Sequence, residues 1–172
     1  MASNGNSRTL ALAGRVTGTI AVTLALAGCG PSASENTVIP TLESAKSKVM
    51  SLEQEIVAMV PNGLVITSTA HDTSSLMRCR GEQKKWTGDA EAQVGADIGR
   101  ERFLDGVRDA MAGRDGWKAA DDTDQNGDRR VDLRHTDGTH LMVSFYGSPT
   151  TLRVAGYSAC FDFPEYEYGE KY

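Results

Sequence analysis

The last third of the chain alternates between apolar and polar residues. Val131, Leu133 and His135 share one parity, as do Leu141, Val143 and Phe145, and then Leu152 and Val154. A period of two puts each set on one face of an extended strand. The links between the sets are turns. Asn126-Gly127 precedes the first set, Asp137-Gly138 separates the first from the second, and Gly147-Ser148-Pro149 turns the chain again. Asn-Gly and Asp-Gly are the dipeptides of tight hairpins. Parallel neighbours need connections of about a dozen residues or more, so this third reads as an antiparallel meander, with Trp117 to Asp121 as its leading strand.

The middle of the chain adds helices. Leu42, Ala45, Val49, Leu52, Ile56 and Met59 recur at spacings of three and four, which places them on one helical face. Thr41 suits the N-cap and Glu43 the first turn. Pro61-Asn62-Gly63 stops the helix. Leu64-Val65-Ile66-Thr67 then reads as a buried strand. Residues 70–84 are polar and read as a loop carrying Cys79. Trp86, Ala90, Ala92 and Val94 share one parity and predict another strand. Asp97 is placed to cap a second helix, with Leu104, Val107 and Met111 facing inward beside Ile98 and Phe103, and Gly113 ends it. The order α-β-β-α-β-β-β-β predicts an α+β fold: an antiparallel sheet of about five to six strands with two helices packed on one face.

The first 28 residues stand outside that pattern. They hold Arg8 and Arg15, no acidic residue, and an apolar stretch from Val16 to Gly28. The stretch is about two thirds of the roughly 20 residues of a membrane-spanning helix, and a basic region before a short apolar run marks a secretory signal. It ends in Leu26-Ala27-Gly28-Cys29, which resembles the lipobox of bacterial lipoproteins. That resemblance implies cleavage between Gly28 and Cys29 and a diacylglyceryl lipid on the Cys29 thiol. The alternatives are an ordinary secretory signal followed by a chance cysteine, and an uncleaved membrane helix. The domain map is then a signal peptide (1–28), a lipidated cysteine with a polar tether (29–39), an α+β domain (40–163) and an acidic, tyrosine-rich tail (164–172) expected to fray.

Export also bears on the other two cysteines. With Cys29 lipidated, Cys79 and Cys160 remain, and an even number in an oxidising compartment reads as one disulfide. Two buried thiols are the alternative. Removing residues 1–28 takes away two positive charges and moves the formal net charge from −5 to −7. An acidic domain is repelled by nucleic acid and by anionic headgroups, so neither is an expected partner. The expected partners are the membrane, through the lipid, and an envelope protein or wall ligand.

Candidate chemistry is sparse. Asp122, Asp124, Asn126 and Asp128 place oxygens at alternate positions with Gly127 between the last two, which resembles the start of a calcium-binding loop of the EF-hand or dockerin kind. The twelfth position is Leu133 where that pattern has a bidentate carboxylate, and the competing reading is a plain hairpin. His135 and His140 flank the Asp137-Gly138 turn, and with Asp132 or Asp137 they would make a partial zinc set. A solvated hairpin end is the simpler reading. Ser74, Ser75 and Ser158 lack a nucleophile elbow. Arg78, Arg80, Lys84 and Lys85 cluster beside Trp86 as a small basic loop. No catalytic residue is assigned, no cofactor beyond the lipid is expected, and the chain is read as a non-enzyme.

The lipobox, the tether, the first helix, the loop cysteine, the second helix, the Gly113-Arg114-Asp115-Gly116-Trp117 junction and the late Cys160-Phe161 together resemble the layout of small actinobacterial lipoproteins, the mycobacterial LppA-like group among them. The resemblance covers most of residues 16–161 and implies retention on the extracytoplasmic face of the cell membrane. The expected function is a lipid-anchored, non-enzymatic binding module. The alternatives are a surface immunity or phage-exclusion lipoprotein and a weak calcium-binding module.

Overall fold

A computed structural model describes residues 39–95, 98–147 and 150–172. Cys29, Gly28 and the segment before them lie outside the described residues, as do Asp97, Ser148 and Pro149. The fold is α+β. Helix α1 (Leu42–Ala58) is followed by β1 (Val65–His71), the short β2 (Met77–Arg78) and β3 (Lys84–Lys85), then β4 (Thr87–Val94). Helix α2 (Arg100–Ala112) leads into a four-strand meander of β5 (Trp117–Thr123), β6 (Arg129–His135), β7 (His140–Tyr146) and β8 (Thr151–Tyr157). Six strands form one antiparallel sheet in the order β1-β4-β8-β7-β6-β5, and β2 pairs with β3 alone.

One face of the sheet carries the core. Ala90, Ala92 and Val94 of β4 lie beside Leu152 and Val154 of β8, then Leu141, Val143 and Phe145 of β7 and Val131 and Leu133 of β6, all buried. Both helices cover that face, α1 across β4 and β8 and α2 across β5, β6 and β7. Thr41 caps α1 through a reciprocal pairing with Ser44, each side chain bonding the other's backbone N–H. Helix α2 starts at Gly99 (φ 63°) with no side-chain cap. Arg114 binds Glu55 and so joins the ends of the two helices. Arg129 reaches Glu101, Asp105 and Asp121 at 2.8, 2.8 and 2.5 Å, tying α2 to the β5–β6 edge.

Cys79 and Cys160 form the expected disulfide, with Cα atoms 6.0 Å apart. Three expectations need correction. The strand after α1 is not buried: every residue from Val65 to His71 is exposed, because β1 is the sheet's edge and α1 lies inboard over β4 and β8. The segment expected as a loop contains the end of β1 and the β2–β3 ladder. The tail is not frayed. Tyr172 exchanges two backbone hydrogen bonds with Ser74, at 2.9 and 3.0 Å, and its carbonyl accepts the Trp86 indole N–H at 3.0 Å. A fully buried indole needs an acceptor, and the chain end supplies it.

Candidate functional site

The cleft beside β1 begins with a short link. Val60-Pro61-Asn62-Gly63 returns the chain from the end of α1 to the sheet, with Gly63 at φ 84° where a side chain is strained. Strand β1 follows and shares the lining of one cavity with α1. A register shift between Val65 and Thr67 leaves Ile66 62% exposed. Ser68 and Ala70 pair with Ala92 and Ala90, so they face the helix side of the sheet, yet both are exposed. Their short side chains leave a trough against Gln54, Val57 and Ala58 of α1. Its volume is about 550 Å³. No Lys, Arg, Asp or Glu lines it.

Among the described residues no helix covers the opposite face of the sheet, which is polar. Asp132, only 8% exposed, accepts from Arg134 Nε at 2.7 Å and lies 2.6 Å from His140 Nε2. The imidazole stacks on Tyr157 at 5.6 Å, and Lys85 sits over the same ring at 4.9 Å. Arg153 lies 3.6 Å from Asp89 and 3.7 Å from Glu91. A hollow of about 350 Å³ on this face is lined by His71, Ser74, Asp89, Arg153 and Tyr157 among others. His71 is 3.4 Å from Asp89, while the Ser74 hydroxyl bonds Thr87 and the Ser75 carbonyl. No nucleophile–base hydrogen bond joins serine to histidine among the described residues, which a catalytic relay requires.

Behind that hollow lies a feature the sequence did not announce. Gly88 and Gly156 face each other across β4 and β8. A Cβ on Gly88 would meet the Trp86 ring at 2.1 Å, and one on Gly156 would meet Val49 at 2.3 Å and Glu53 Oε1 at 2.5 Å. Glu53 is 0% exposed, and among the described residues neither carboxyl oxygen has a hydrogen-bond partner. Burial, reinforced by the Asp89 carboxylate, pushes Glu53 up to about 8. It is therefore held as the neutral acid at pH 7. Only its place next to Leu52 on the apolar helix face hinted that it would turn inward.

The aspartate-rich segment is the β5–β6 hairpin. Asp124 Oδ1 accepts from Asn126 N–H at 2.8 Å and Asp128 N–H at 2.9 Å, closing the turn with Gly127 at φ 85°. Asp122 is spent on the Arg130 guanidinium and the Thr123 N–H, and Arg130 holds its carboxyl below the usual range. Asp122, Asp124, Asn126 and Asp128 thus form or flank the hairpin turn, with Asp122 and Asp124 engaged in protein hydrogen bonds. Among the described residues no three His, Cys, Asp or Glu side chains are grouped to hold a metal ion.

His135 and His140 are not brought together, since β6 and β7 present them to opposite faces. His135 binds Asp137 at 2.8 Å and packs on Trp117. Burial raises the Asp137 carboxyl, but Lys48 at 2.6 Å, the Thr139 N–H and His135 outweigh it and leave Asp137 well below the carboxylate range. The basic loop is partly consumed, with Lys84 over Tyr166 at 4.4 Å and Lys85 over Tyr157. Ser158 is structural: its hydroxyl accepts the Trp86 N–H at 2.9 Å and donates to the Ala159 carbonyl.

No protein-family model matches the chain, and no curated protein or solved structure matches it.

Proposed function

We propose that the chain is a small envelope lipoprotein, anchored on the extracytoplasmic face of the membrane through a lipid on Cys29, whose α+β domain is a non-enzymatic binding module. The Cys79–Cys160 disulfide supports an oxidising compartment. The apolar run ending in Leu26-Ala27-Gly28-Cys29 supports the anchor. Among the described residues no helix is long and apolar enough to cross a membrane, and the lipid would supply the attachment. The observation that carries the binding reading is the β1 edge, uncovered among the described residues, beside its uncharged trough. Exposed edges are ordinarily short, charged, bulged or covered; β1 carries an irregularity between Val65 and Thr67, but it is seven residues long, holds no Lys, Arg, Asp or Glu, and pairs only with β4 among the described residues.

The test is crosslinking of the anchored chain in cells, with Cys29→Ala as the mislocalised control. The proposal expects membrane fractionation of the wild type, loss of that fractionation in the variant, and one dominant envelope species captured only by the anchored form. Membrane retention of Cys29→Ala would contradict the anchor. Turnover of a substrate by the isolated protein would contradict the binding module.

A further inference from the structure

Two Asn-Gly pairs lie among the described residues, Asn62-Gly63 and Asn126-Gly127, and all four residues are exposed. Asparagine is a thermolabile side chain, and glycine after it removes the Cβ that would otherwise shield the next backbone nitrogen from the side-chain amide. Both glycines also have positive φ, 84° and 85°. Neither dipeptide, exposure nor backbone region therefore separates the two pairs. Their hydrogen bonds do.

At the β5–β6 hairpin the attacking nitrogen is occupied. Gly127 N–H donates to the Asp124 carbonyl at 3.1 Å, and Asp124 Oδ1 holds the amides on either side, Asn126 at 2.8 Å and Asp128 at 2.9 Å. Asp124 N–H to the Asp128 carbonyl, at 2.8 Å, closes the loop. Moving Gly127 N onto the Asn126 side chain breaks this set. At the link from α1 to β1 the turn is spanned by Leu64 N–H to the Pro61 carbonyl at 3.1 Å, and among the described residues Gly63 N–H donates no hydrogen bond.

We propose that Asn62 is a self-modification site, converting to aspartate and isoaspartate through a cyclic imide with Gly63, and that the change loosens the end of α1, while the hairpin protects Asn126. Gly63 N gives up its proton to solvent and bonds to Asn62 Cγ. The Cγ–Nδ2 bond breaks and ammonia leaves. Water then opens the five-membered ring, at the side-chain carbonyl to give aspartate or at the main-chain carbonyl to give isoaspartate. Water is the one co-reactant, and no electrons are transferred. Either product puts a carboxylate on the trough beside β1, whose lining includes Asn62 and Gly63 and no Lys, Arg, Asp or Glu. The new charge falls just beyond the carboxyl end of α1, where the helix dipole disfavours an anion. Isoaspartate also lengthens the backbone of a short link whose Leu64 carbonyl accepts the Gly95 N–H at 2.8 Å. The proposal is independent of the binding-module reading.

The test is ageing of the full chain in mildly alkaline, oxygen-labelled water, with peptide mapping by mass spectrometry. Labelled carboxylate should accumulate at residue 62 at least about fivefold faster than at residue 126, the factor that one retained hydrogen bond supplies. In denaturant the two rates should converge, because the turns no longer differ. Asn62→Asp, which carries the charge without the longer backbone, should speed amide exchange in the last turn of α1 and leave β5 unchanged. Equal rates in the folded protein, faster change at Asn126, or a ratio that denaturant leaves intact would each overturn the assignment to the fold. Unchanged exchange in both Asn62→Asp and the aged protein would overturn the loosening of α1.

Discussion

At the scale of the residue, Glu53 has the largest consequence for stability. Its carboxyl sits against Gly156 with no partner among the described residues, and burial holds it protonated. An unfolded chain releases that proton above about 4.5, whereas the native chain keeps it to about 8. Across this window the native state binds the extra proton, so stability falls as pH rises, by about 1.4 kcal/mol per pH unit. Denaturant unfolding between pH 5 and 8 should show this slope, and Glu53→Gln should flatten it. Glu55, lowered by its bond to Arg114, and Asp137, held low despite burial, act in the opposite sense: their stabilisation is lost as pH falls below about 4. Gly156 is the neighbouring constraint. Gly156→Ala places a methyl against Val49 and Glu53 and should destabilise by about 1–3 kcal/mol, read as a lower urea midpoint.

At the scale of the element, strands with one buried face were legible and the strand without one was not. Leu141, Val143 and Phe145 alternate because α2 covers one side of β7, so the period of two survives in the sequence. The same holds for Val131 and Leu133, and for Ala90, Ala92 and Val94. Leu64 to Thr67 read as a buried run because its residues are apolar and β-branched, but burial depends on where a helix lies, and α1 stops short of β1. The tail misled for a related reason. Its tyrosines and acids look like solvated chain, while its order comes from long-range partners, with Phe163 and Tyr166 packed against Tyr172 and the Tyr172 carbonyl on Trp86. Deleting residues 164–172 should therefore expose an indole that is now 0% accessible. Acrylamide quenching of tryptophan fluorescence should rise, whereas unchanged quenching would contradict the pinning of the tail.

At the scale of the whole molecule, the disulfide was legible from cysteine number and the expectation of export, while the surface beside β1 was not, because the trough is made by the relative placement of α1 and an edge strand. The Cys79–Cys160 bridge closes a separation of 81 residues. Chain entropy assigns such a loop up to about 4.5 kcal/mol, so reduction, or replacement of both cysteines by serine, should lower the denaturation midpoint markedly without changing the strand pairing. The bridge joins the β2–β3 ladder to the chain leaving β8, at the end of α1 where Ile39 enters, whereas the β1 trough opens at the other end. The disulfide and the β1 trough thus lie at opposite ends of α1. The most direct test is amide hydrogen exchange of Val65–His71 in the anchored protein, measured in native envelopes and again after purification. An occupied edge predicts slower exchange of the outward-facing β1 amides in the envelope than in isolation, with β5 unchanged. Identical exchange in the two settings would contradict the account.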